Sequence, residues 1–184
     1  MIIGGPIVYT ATWLLLGQSH HGYSQHDDSI SVLAAFGAPT GWLMTAAFVV
    51  QAAAMAAAGL QLRRTSGLAA LLLVVNAVGT VVVAAAPISC GAQDATWCLP
   101  SEHPTFYAVH VAAATLALSA LATAPLAYAV PPRRAGWPIA AVAGIVMVVL
   151  LGWFAVSDAA GWAEKIMITT GITWAAATAA GVRR

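Results

Sequence analysis

Charge is what this sequence has least of. Lysine and arginine number 7 and aspartate and glutamate 6 in 184 residues, 7% together, against about 25% in an ordinary soluble domain. So little charge cannot cover a water-facing surface. With 61% hydrophobic residues, the chain reads as an integral membrane protein whose partners are membrane lipids. A formal net charge of +1 provides no basic field to neutralise phosphates, which excludes a nucleic-acid partner. Cys90 and Cys98 are too few for a disulfide scaffold and enough for one bridge. No basic run follows Met1, so a cleavable signal is not expected, and the first apolar run is read as a retained helix.

What is present is six apolar stretches, at about 2–17, 41–62, 67–86, 104–130, 137–156 and 161–182. A span needs roughly 20 residues at 1.5 Å each, so the first is marginal and the others qualify. Backbone polar groups find no water in a bilayer core, which makes these segments helices. The expected fold is all-α: one polytopic membrane domain over 1–184, a six-transmembrane-helix bundle. Arg63-Arg64, Arg133-Arg134 and Arg183-Arg184 fall on one side. By the positive-inside rule that side is cytoplasmic, as are both termini, and the chain sits in the plasma membrane as a multi-pass protein. Pro131-Pro132 stops the fourth helix and Pro104 suits the first turn of the same helix. Ser157 or Asp158 is a plausible N-cap for the sixth.

The remaining charges sort to the opposite side. Asp27, Asp28, Asp94, Glu102, Asp158 and Glu164 all lie in outer loops or at outer helix ends, with all five histidines and the only lysine, Lys165. The densest run is Ser19–Ser31, SHHGYSQHDDSIS. It is either a solvated loop or the rim of a site. Asp28 is placed to cap a short helix over the apolar run Ile30–Phe36. A carboxylate beside apolar surface also holds its proton more tightly and can donate it. His103 and His110 are two turns apart on one helix face, about 10 Å along the axis. That is too far for one metal, but both could line one cavity. An ionisable residue as deep as His110 marks a site or pathway, unless it simply bonds a neighbouring helix. Glu164 either serves the helix dipole or points at the polar cluster. Lys165, its neighbour, is expected to snorkel to the interface.

Further residues read as structural or as pocket walls. Gln51 and Asn76 reach nearly the same depth in a helix 2–3 hairpin and are expected to bond each other, worth about 0.6–2 kcal/mol. Trp42, Trp137 and Trp162 sit at helix ends as interfacial anchors. Trp13 and Trp153 either pack the core or face a hydrophobic ligand. Tyr23, His103, Tyr107 and Trp162 join them as candidate pocket residues. The histidines with Asp27 and Asp28 are zinc-compatible, yet none has a recognised ligand spacing, so no metal or other cofactor is expected. Cys90 and Cys98 share an outer loop in an oxidising compartment and are expected to be bridged, with about 2–3 kcal/mol gained in loop order.

Three blocks carry a resemblance. GYSQHDDSISVLAAFGAPTGWLM (22–44), PISCGAQDATWC (87–98) followed by His103 and His110, and GWAEKIMITTGITW (161–174) resemble the bacterial membrane family catalogued as domain of unknown function 998. The resemblance runs nearly end to end. It implies six helices with an outward polar cluster and carries no established activity. It favours Asp28 over Asp27 as the fixed position, and a basic residue after the glycine-led turn, here Lys165.

Three functions compete. One is a membrane-embedded enzyme acting on a lipid or isoprenoid by acid–base chemistry, for instance proton-initiated terpene cyclisation. Asp28, His110 and Glu164 would be the principal catalytic residues, with Asp28 the expected proton donor and Glu164 second, His110 orienting the donor or taking the proton back, and His26 and Asp158 beside them. The second is a small transporter, against which no charged residue crosses the middles of helices 1, 4, 5 and 6. The third is a structural or assembly protein with its outer loops as partner surface.

Overall fold

The structure, a computed structural model, describes residues 2–89, 97–98, 104–130, 134–157 and 161–181. It is all-helical: α1 (Gly4–Ser19), α2 (Gly41–Leu62), α3 (Gly67–Ala85), α4 (Pro104–Ala129), α5 (Trp137–Val156) and α6 (Gly161–Gly181), with a short 3-10 helix at Ile30–Ala34. Each agrees with an apolar stretch of the sequence to within two residues. Four helices, α2 to α5, are long and apolar enough to cross a membrane. Of the other two, α1 has 16 residues and α6 opens with Glu164 and Lys165 buried.

The chain packs as successive antiparallel hairpins. After α2 the backbone turns within four residues, with Thr65 and Ser66 N–H both bonding the Leu62 carbonyl at 2.9 and 2.8 Å. α3 lies between α2 and α4. Gly79 lets α3 approach α4 closely, since a Cβ there would stand 2.9 Å from the Ala117 Cβ and 3.0 Å from the Ala113 carbonyl. α5 is the outermost helix, burying only Ala140, Gly144 and Met147. It presents Ile139, Val142, Ile145, Val149 and Val156 outward. In water such a face would be an association hazard; against lipid tails it costs nothing. The chain thus has the helices of a multi-pass membrane protein.

Loop 1 (20–40) folds over one end of the bundle. All five residues of its 3-10 helix are buried, and Phe36 N–H bonds the Ile88 carbonyl at 3.2 Å beyond α3. His20 seals the α1–α2 junction. Its Nδ1 is 2.8 Å from the Leu16 carbonyl and its Nε2 2.9 Å from the Thr40 hydroxyl. It therefore adds to the bonds on the last turn of α1 and holds the residue before α2 at once. Trp97 leans edge-on to His20 and donates its Nε1–H to the His21 carbonyl at 3.0 Å.

Several sequence expectations are corrected here. Asp28 does not cap the 3-10 helix: Ser29 is the N-cap residue, with no side-chain cap. The helix packs inside the bundle because Ile30, Val32 and Leu33 are all apolar. Gln51 and Asn76 do not bond each other. Asn76 Nδ2 donates to the Ala117 carbonyl at 3.0 Å, because α3 presents that face to α4. Trp153 does not pack the core and is 53% exposed, since it lies on the outward side of α5.

Candidate functional site

The site is built where α6 starts beneath loop 1. A helix start leaves backbone N–H groups without partners, and loop 1 supplies them. Trp162 N–H bonds the His26 carbonyl at 2.9 Å. Gly161 permits this approach because any Cβ there would collide with the Asp28 carbonyl. Lys165 completes the clamp. Its Nζ donates to the Asp28 carbonyl at 2.6 Å and sits 5.2 Å above the Tyr23 ring. Lys165 is 4% exposed, so it does not snorkel. Loop 1 covers the helix end, and its carbonyls and ring face replace water as partners for the ammonium.

Tyr23 donates its hydroxyl to the Ser29 carbonyl at 3.2 Å and the Asp28 carbonyl at 3.4 Å. Burial, then the nearby Glu164 and Asp28 charges, hold that hydroxyl's pKa well above the ordinary phenol value, so it stays a donor. The Asp28 side chain accepts the Ser24 N–H at 2.6 Å. Asp27 and His26 pair at the surface, Oδ1 to Nδ1 at 2.7 Å. Bonds from His26 and Ser24 hold the Asp27 carboxyl below the usual carboxylate range.

Glu164 points inward. It is 5% exposed, and its Oε2 accepts the Ile30 N–H at 2.8 Å. It borders a cavity of about 50 Å³ where α1, α2, α3, α4 and α6 meet. The polar lining is Tyr9, Ser31, Gln51, Asn76, Thr80 and Glu164; the apolar wall includes Phe48, Leu118, Leu121 and Ile172. Gln51 is 3% exposed, and neither polar atom of its amide has a hydrogen-bond partner among the described residues. A buried amide in that state is an orphan facing the cavity it lines.

Asp28 and Glu164 are thus brought together through loop 1. His110 is not with them. Its Nδ1 lies 2.6 Å from the Ala86 carbonyl, so Nδ1 carries the proton and ties α4 to the end of α3, while Nε2 is buried without a partner. Of the expected pocket residues, Trp13 is buried on α1 and Tyr23 within loop 1, Tyr107 is 46% exposed, and Trp162 is half-buried. His103, Asp158 and Cys90 lie outside the described residues; Cys98 is within them. No group of three or more metal-ligating side chains occurs among the described residues.

Tyr9 escaped the sequence reading, although Tyr9, Trp13 and Leu16 form one buried stripe of α1 at helical spacing. Gln51 was visible only as a helix–helix bond.

The family described as "Protein of unknown function (DUF998)" matches residues 2–181. No curated protein and no solved structure matches the chain.

Proposed function

This chain belongs to the family of proteins of unknown function DUF998, and from that premise and the cavity we propose a membrane-embedded enzyme acting on a lipid or isoprenoid by acid–base chemistry. The observation that carries the reading is the Glu164 carboxyl, buried inside the bundle yet bordering a cavity with an apolar wall and an unpartnered amide. An ionisable group so placed is costly unless it has a task.

Glu164 is the proton donor, in place of Asp28, because Glu164 borders the cavity and Asp28 does not line it. In a cyclisation, the Glu164 proton would add to a terminal alkene and leave a carbocation. An internal double bond would close on that cation. Loss of a proton from the product would return it to the Glu164 carboxylate. Gln51 and Tyr9 orient the reacting group or a water beside it. A cavity of about 50 Å³ suits the reacting end of a substrate, or one to two waters. The rest of an isoprenoid would lie among the helices and lipid tails.

The arginine pairs support six spans with both termini cytoplasmic, as the positive-inside rule requires. The Glu164 cavity then belongs to the extracytoplasmic half, in the plasma membrane.

A structural role is the second reading, favoured by one observation. Glu164, Lys165 and the Trp162 N–H all end on loop 1 backbone, which is what a fastening requires and no more. Two variants separate the readings. Glu164→Gln keeps an oxygen to accept the Ile30 N–H and loses the titratable proton; Glu164→Ala loses both. Lipid extracts of cells producing each variant should lack a wild-type product in both cases. A wild-type lipid profile with Glu164→Gln, and a changed one only with the unstable Glu164→Ala, would leave the structural reading standing.

A further inference from the structure

At the end of the bundle opposite loop 1, α6 turns a second polar face outward. Thr170, Thr173, Trp174 and Thr178 line a groove of about 940 Å³ that Ile139 and Ala143 of α5 close on the other side. That is near the top of the roughly 300–1,000 Å³ range of small-molecule sites. The threonines recur at helical spacing, so 170 to 178 covers about 12 Å of α6. Threonine hydroxyls in membrane helices usually bond back to their own helix. Thr12, Thr80 and Thr123 do so, at 2.8, 2.8 and 2.7 Å. Thr169, whose hydroxyl is buried in the groove, has no partner.

Arg134 stands at the head of the groove. Its guanidinium donates to the Tyr128 carbonyl at 3.0 Å and lies 5.6 Å over the Tyr128 ring. Among the described residues that leaves four of the five guanidinium N–H donors for a ligand. Thr65, which follows Arg63 and Arg64, lines the same space. No acidic residue occurs in the sequence near any arginine pair. Below Arg134 the groove continues into an apolar channel of about 440 Å³ along Pro138, Val142 and Val146. Ile139 and Val142 are 73% and 62% exposed, so one flank of any occupant lies against lipid tails.

We propose that this α5–α6 groove is a binding site for one anionic phospholipid, its phosphate held by Arg134. Its glycerol and ester oxygens accept from Thr178 and Thr173, and one acyl chain follows the Val142–Val146 channel. Charge complementarity fixes the sign of the headgroup. The continuous apolar channel, open to the bilayer, makes the occupant an amphiphile rather than a free phosphate.

Native mass spectrometry of the full chain from mild detergent, titrated separately with phosphatidylglycerol and phosphatidylcholine, tests this. The wild type should retain one phosphatidylglycerol about tenfold more tightly than phosphatidylcholine, and Arg134→Gln should abolish that preference. Ala177→Phe sets a ring into the groove beside the threonines and leaves Arg134 itself unchanged. It should lose the bound lipid while the thermal midpoint in lipid-free detergent is unchanged. If Arg134→Gln fails to fold, the Ala177→Phe result decides. Equal retention of both lipids by the wild type, or tight phosphatidylglycerol binding by Ala177→Phe, would overturn the proposal.

Discussion

A single buried ammonium decides how loop 1 sits. Lys165 replaces its hydration with the Asp28 carbonyl and the Tyr23 ring, and breaking that contact takes from the buried Asp28 carbonyl its short bond and leaves it the 3.4 Å one from Tyr23. Lys165→Met keeps the length of the chain and removes the donor. It should cost about 1–3 kcal/mol, measured as a lowered unfolding midpoint in detergent. Asn76→Ala should cost about 0.6–2 kcal/mol, as the bond to the Ala117 carbonyl is lost. The His26–Asp27 pair is the contrasting case. It lowers the Asp27 carboxyl, so whatever stability it adds is present above the ordinary carboxylate value. That stability is lost as pH falls through the lowered one. At 69% and 52% side-chain exposure solvent screens it. His26→Ala should therefore leave the unfolding midpoint unchanged from pH 5 to 8, and a clear drop would show that the pair does more than its exposure allows.

At the scale of elements, the decisive junction is the start of α6. Gly161 has no room for a Cβ beside the Asp28 carbonyl. Gly161→Ala should separate loop 1 from α6 at about 1–3 kcal/mol, visible as faster proteolysis within 20–40. The helices themselves were legible from apolar run length, because lipid leaves a backbone no other solution. The polar contacts between them were not. Gln51 and Asn76 stand at matching depth, which fits a mutual bond, yet Asn76 turns to α4 and Gln51 to the cavity. Lys165 was expected to reach water. Nothing local reveals that a segment 137 positions upstream folds over it. Glu164 was visible as a candidate because a carboxylate in an apolar helix is conspicuous. Tyr9 stands out only through its neighbours across the bundle, which the sequence does not show.

Among the described residues, the whole molecule is a bundle with its acids and histidines at one end and its arginines at the other. Cysteine-accessibility labelling at Thr65 and Gln93 tests the orientation proposed for it. Gln93 should label from outside and Thr65 should not; the reverse pattern would invert the topology. The role proposed for Glu164 is to move a proton within the bundle. The most direct measurement is turnover in proteoliposomes, with the lipid that accumulates in Glu164→Gln cells as substrate. At equal amounts of folded protein, Glu164→Gln should be slower than the wild type by about 10²- to 10⁴-fold. Equal rates for the two proteins would contradict it.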